Sequence, residues 1–278
     1  DNVPPYVYSN FILPSLNFMQ NISWPLSFLI FDGLKKFPFE VRCQIYEKYT
    51  SNIEQICDLK ILVSHIKGRM LNVSKRLAGD SASRYSGKVA KQFMRAPHVV
   101  AQVYFEMVTN FSNTPEFLVI SLGDISVLAL DFLLWIFTKN LPFDKVPSWI
   151  NKASEFFGKL AADQYSLMDL SAFLKIIKIG LSKKSISHAI MLSHFIRSMT
   201  GIGYSGFLLQ NEIQIRTGEN LPRLNLRLKS LNENQETLLD RSSYLTKIFL
   251  DDDLGLHMLS YLDNMYQSIY LSKNVSEE

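Results

Sequence analysis

The stretch 199-MTGIGYSGFLLQ-210 decides the fold class of this chain. Within it Gly201, Gly203 and Gly206 spell G-x-G-x-x-G. That is the dinucleotide fingerprint, in which glycines let a backbone approach a pyrophosphate at a helix N-terminus. Used that way, they would make the chain a doubly wound α/β protein and a nucleotide-dependent oxidoreductase. The fingerprint needs a strand running into the glycines and a helix opening on them. The preceding residues, SISHAIMLSHFIRSMT (Ser185–Thr200), have the spacing of a helix instead, and after Gly206 a brief FLLQ gives way to polar residues. Glycine just past a helix C-terminus is the common left-handed stop. Gly201 and Gly203 therefore read as helix caps, and no cofactor is expected.

Outward from this point the period is helical almost everywhere. From Ile56 the apolar positions are Ile56, Leu59, Val63, Ile66, Met70, Val73 and Leu77, alternating steps of three and four. That spacing keeps one stripe facing a neighbour. Pro97 opens APHVVAQVYFEMVTNF (Ala96–Phe111), where a missing N–H costs nothing in the first helical turn. Pro25, Pro38 and Pro147 mark further helix starts. Later helices are expected over Asp169–Leu181, Ile186–Met199, Asn234–Phe249 and Asp253–Tyr270. Strand-like fragments such as EIQIRTG (Glu212–Gly218) are short, and no Asn-Gly or Asp-Gly hairpin signal joins alternating runs. The expectation is an all-α protein, a HEAT-like α-solenoid of antiparallel helix pairs. Residues 1–278 read as a single helical-repeat segment of something longer, with an internal break near Asn140–Pro147 (NLPFDKVP) and a long loop over 210–235.

Phe117–Phe137 (FLVISLGDISVLALDFLLWIF) is the most membrane-like run, but it carries Asp124 and Asp131. Each would cost about 2.5–3.5 kcal/mol near a bilayer centre. Two buried helices are expected there, and no membrane partner. Cys43 and Cys57 have neither a metal spacing nor a disulfide framework, which fits a reducing compartment. His188 and His194 are six apart and so do not share a face as an i, i+4 zinc pair must. Asp251–Asp253 reads as an acidic N-terminal turn, a cap, before LGLHMLSYLDNMY, favourable to the helix dipole. No catalytic or metal constellation emerges, and the chain does not read as an enzyme.

Charge is more informative. The net charge of +3 points to no partner, yet nine cations between Lys60 and Arg95 face only Asp80. Lys60, Lys67, Lys75 and Arg76 follow one helical run, and Lys88, Lys91 and Arg95 stand at i, i+3, i+7 on the next. Such clustering can neutralise phosphates without reading bases. These seven residues are the candidate RNA- or partner-binding face. The solvated-surface reading of the same pattern stays open, because no set of aromatics for stacking is interleaved.

FPFEVRCQIYEKY (Phe37–Tyr49), preceded by ILPSLNFMQNISWPLSFLIFDGLKK, resembles the central region of the THO complex subunit 2 family, large scaffolds of the nuclear transcription–export assembly. The likeness continues through SKRLAGD (Ser74–Asp80), SGKVAKQFMRAPHVV (Ser86–Val100), SWINKASEFFG (Ser148–Gly158), MTGI (Met199–Ile202) and LDDDLGLHMLSYLD (Leu250–Asp263). It spans nearly the whole chain in order and departs most at QIRTGENLPRLNLRLKSLNENQ (Gln214–Gln235). The resemblance implies a nuclear helical-repeat scaffold that holds other THO subunits. Its central part would be similar to the middle domain of translation-initiation scaffolds, which clasp DEAD-box ATPases. The implied partners are THO subunits and the DEAD-box RNA helicase of the export pathway, while RNA is a candidate ligand of the basic face on charge alone. The rival within binding proteins is an unrelated helical-repeat transport or translation scaffold.

Overall fold

The computed structural model describes residues 3–19, 23–77, 82–110, 115–200, 235–251 and 253–274. The described residues form helices with no strand, packed successively as in an α-solenoid. Helix α1 (Pro5–Val7) passes through a π-helical turn, Tyr8–Ile12, into α2 (Leu13–Phe18). There follow α3 (Trp24–Lys35), α4 (Phe39–Gln55), α5 (Cys57–Ser74), α6 (Ala82–Arg95) and α7 (Pro97–Asn110). Next come α8 (Pro115–Ile120), α9 (Val127–Lys139), α10 (Ile150–Asp163), α11 (Leu170–Ser182) and α12 (Ile186–Thr200). The last two are α13 (Gln235–Asp251) and α14 (Leu254–Asn274).

Helix boundaries follow local chemistry. Pro25 lies in the first turn of α3 and Pro38 is the N-cap of α4. The Ser126 and Asp169 side chains accept the Ala129 and Ala172 N–H groups and so cap α9 and α11. The apolar run Phe117–Phe137 divides into α8 and α9 around Ser121–Ser126. No described helix is long and apolar enough to cross a membrane. Between α11 and α12 Lys184 takes a positive φ of 58°, while Ser185 N–H reaches Gly180 C=O and Lys184 N–H reaches Leu181 C=O. This is a Schellman stop made without glycine at the left-handed position.

The structure alters two local expectations. Ile56 leaves the buried stripe: it is the extended joint between α4 and α5 and is exposed, whereas Leu59, Ile66, Met70 and Leu77 are buried. Asp253 stands at the N-cap of α14 rather than inside that helix. Asp251 closes α13, and Asp253 has φ 53°, outside the helical range, with its carbonyl receiving the Leu256 and His257 N–H groups. Aspartate tolerates that left-handed conformation and here turns the chain between two helices.

An aromatic ladder runs through the core. Phe105 of α7 meets Phe137 of α9 edge-on at 5.2 Å, and Phe137 stacks on Phe156 of α10 at 5.5 Å. Phe157 lies 4.5 Å from Phe173 of α11, which is 5.1 Å from Phe195 of α12. One hydrophobic cluster includes residues on both sides of Asn140–Pro147. Helices α10 and α12 approach closely at Gly158, where an added Cβ would stand 2.7 Å from the His194 carbonyl oxygen.

Beside this ladder lies a buried ion cluster. Arg42 of α4 is 1% exposed, with its guanidinium 5.2 Å from the Phe39 ring centre and 5.7 Å from that of Phe31. Its Nη2 donates to Asp169 Oδ2 at 2.6 Å and lies 3.4 Å from Asp131 Oδ1. Tyr46, one turn on, donates to Asp131 Oδ2 at 2.5 Å. Burial pushes Asp131 up to about 6, although Arg42 and Tyr46 pull the other way. Burial also acts to raise Asp169, but its bonds from Arg42, Ser171 and the Ala172 N–H outweigh it and hold its pKa below the usual carboxylate value. The two aspartates differ because Asp169 takes the short bond and keeps some solvent contact, while Asp131 is nearly dry.

Replacing Arg42 with Met leaves two carboxylates beside each other without their cation, and chemical unfolding is expected to show a loss of about 3–5 kcal/mol. Asp131 has a folded-state pKa above its unfolded value, so its contribution is fully present below about pH 4 and is lost as pH rises through about 6. Asp131→Asn removes that titration while keeping an acceptor for Tyr46. Urea midpoints measured across pH 4–7 are therefore expected to show the variant gaining on the parent protein as pH rises through this window.

Candidate partner-binding face

The seven cations marked in the sequence sit on α5, α6 and the turn after α5. Burying Leu59, Ile66 and Met70 against the core leaves Lys60 and Lys67, two turns apart, exposed on the outer side of α5. Lys75 is the exposed C-cap of that helix, its N–H bonded to the Leu71 carbonyl, and exposed Arg76 follows. On α6 the buried residues are Ala82, Ser86, Val89, Ala90, Phe93 and Met94. Lys88 and Lys91 are therefore turned outward. The Lys88 ammonium lies 5.1 Å from the centre of the Tyr85 ring, which steadies it by a cation–π contact.

Arg95 differs from the other six. It ends α6, is half-buried and faces α5. With Leu62, His65, Ile66 and Arg69 it lines a cavity of about 250 Å³. Neither Arg69 nor His65 belongs to the seven-residue face marked from the sequence. The signal was present in part: 62, 65, 66 and 69 have the i, i+3, i+4, i+7 spacing of one helical stripe. That this stripe meets the end of α6 depends on how the two helices pack.

Among the described residues no carboxylate forms an ion pair with Lys60, Lys67, Arg69, Lys88 or Arg95. Asp124, the acid that approaches α6, accepts a hydrogen bond from Ser86. Asp80 lies outside the described residues.

The glycine motif has a different setting from a nucleotide site. Helix α12 runs to Thr200, so a helix rather than a strand leads into Gly201. Gly201, Gly203 and Gly206 themselves, with EIQIRTG and the 210–234 stretch, lie outside the described residues. The strongly shifted titratable groups belong to the interior. Burial lowers His98 to about 3, where it packs edge-on against Tyr49. Burial and then Lys183 lower His188 to about 4; its ring stacks on Phe143 and its Nδ1 lies 2.8 Å from Ser185 Oγ. Burial is also the first cause that pushes the Cys43 thiol up to about 12. Among the described residues no group of three or more His, Cys, Asp or Glu side chains could hold a metal ion.

A second kind of surface escaped the sequence reading. Tyr6, Phe11, Phe18, Trp24, Phe28 and Leu29 are exposed along α1–α3, and Leu256, Leu259 and Leu262 are exposed on α14. Clustered apolar exposure of this kind marks contact surfaces.

No protein-family model matches this sequence, and no curated protein matches it.

Reversing Lys60, Lys67 and Lys88 to Glu changes exposed side chains alone. The triple variant is expected to melt within about 2 °C of the parent. It should elute from a heparin column at clearly lower salt, since three fewer cations and three new anions face the polyanion.

Proposed function

We propose that this chain is a scaffold segment of the THO/transcription–export complex, acting in the nucleus to couple transcription to mRNA packaging and export. In this reading it binds other THO subunits and a DEAD-box RNA helicase, with RNA as a further ligand of its basic face. The observation that carries the proposal is an array that is all-helical over the described residues and whose outer α5–α6 surface presents exposed cations, Lys60, Lys67 and Lys88 among them. The ordered resemblance to the THO complex subunit 2 family supports the same reading, from Phe37 to Asp263.

The residues bearing that resemblance mostly build the fold. Arg42 and Tyr46 belong to the buried ion cluster, and Trp149 meets Phe105 edge-on at 5.3 Å. The likeness therefore speaks for a shared framework. Contacts with partners fall to the surfaces: the cations of α5 and α6, and the exposed apolar side chains of α1–α3 and α14.

Such a scaffold needs no chemistry of its own. By holding the two RecA-like lobes of a helicase in one relative orientation, it would shift their populations toward the state that turns over ATP or exchanges RNA. The shift equals the difference in its affinity for the two lobe arrangements. The helicase's RNA-stimulated ATPase, measured with and without this chain beside a binding titration, tests the proposal. Saturable binding with a severalfold change in turnover is the expected result. Absence of binding to both the helicase and purified THO subunits would overturn it in favour of an unrelated helical-repeat scaffold.

A further inference from the structure

The cavity between α5 and α6 combines two properties that a merely solvated basic face lacks. Leu62 and buried Ile66 supply an apolar wall, while Arg69, His65 and Arg95 bring nitrogen donors to its edge. At about 250 Å³ it has room for one medium-sized side chain and an adjoining carboxylate. The Arg95 Nε is buried and has no hydrogen-bond partner. A buried donor left in this state is satisfied when an acceptor enters. Among the described residues, neither Arg69 nor Arg95 is paired with a carboxylate.

We propose that this cavity docks an acidic linear peptide of a partner protein. An aliphatic side chain of the peptide lies against Leu62 and Ile66, and a neighbouring carboxylate is held between the Arg69 and Arg95 guanidinium groups. Guanidinium forks suit a carboxylate because two N–H groups can meet its two oxygens. Charge complementarity favours such a peptide, given the surplus of cations from Lys60 to Arg95. The lining favours it over RNA, since single-stranded nucleic acid is gripped through aromatic platforms on which bases stack. This cavity has no Phe, Tyr or Trp in its wall, and its one ring is the small His65 imidazole. The inference rests on the cavity itself and holds whether or not the chain belongs to a THO assembly.

Fluorescence anisotropy with a labelled twelve-residue peptide, one leucine flanked by glutamates, tests the proposal on the full chain. A leucine-to-serine version of the peptide and a labelled twelve-nucleotide oligouridine serve as the other arms. The expected result is saturable binding of the leucine peptide, at least tenfold weaker for the serine peptide. Arg69→Gln should weaken the leucine peptide at least tenfold, and Arg69→Lys severalfold, because a lysine retains the charge but not the fork. Arg69 is exposed, so an unchanged melting temperature separates this loss from unfolding; half-buried Arg95 is the less clean probe. Lys60→Gln, outside the cavity, should change peptide affinity by less than twofold. The proposal is overturned if the leucine peptide does not bind, if it binds equally after Arg69→Gln, or if the serine peptide binds as well. It is also overturned if oligouridine binds with the Arg69 dependence that the leucine peptide lacks.

Discussion

Arg42 reaches from α4 to two carboxylates far along the chain, Asp131 on α9 and Asp169 at the start of α11, with almost no access to water. Burial works against its charge, but the two aspartates outweigh that effect. Asp169 also caps α11 through the Ala172 N–H, so one side chain both starts a helix and anchors it to α4. Replacing such a cluster with well-packed apolar groups need not lower stability, whereas removing one partner alone does. Alternative packings of α4 against α9 and α11 would strand a charge in the core. The cluster thus ties α4 to α9 and α11, three helices far apart in the chain.

Around this cluster the core is built from rings rather than from polar contacts. Tyr46 lies 4.0 Å from Phe132, and the phenylalanine ladder leads from α7 through α9, α10 and α11 to α12. Rings set edge-on or tilted fill space at high density and add a modest directional attraction. Where the ladder has no room for a side chain, glycine allows the backbones to meet, as at Gly158 against α12. Histidines and the Cys43 thiol in these layers are held neutral by burial. They act as packing groups.

Outward, α5 and α6 present a run of cations, and α1–α3 and α14 present apolar side chains. Both follow from helical amphipathy. A helix that buries one stripe must present the opposite one, and here those opposite stripes are charged on α5 and α6 and partly apolar on α14.

Most of the helices were legible because helix formation is governed by near neighbours in the chain. Pro97, Pro25, Ser126 and Asp169 act within a turn or two, and the three-four spacing from Leu59 to Leu77 marks a face without reference to any partner. The helix leading into Gly201 was legible for the same reason. By contrast, Asp253 was misplaced into α14 because a left-handed φ depends on where the two flanking helices must go. Ile56 was assigned to the stripe because spacing alone does not show that the chain extends there. Arg42 is 127 residues from Asp169, and Arg69 meets Arg95 only through the packing of α5 against α6. Local periodicity determined which side of each helix turns inward; the arrangement of helices alone decided which of the residues so sorted would stand together, since contacts between distant segments depend on packing that no short window of sequence contains.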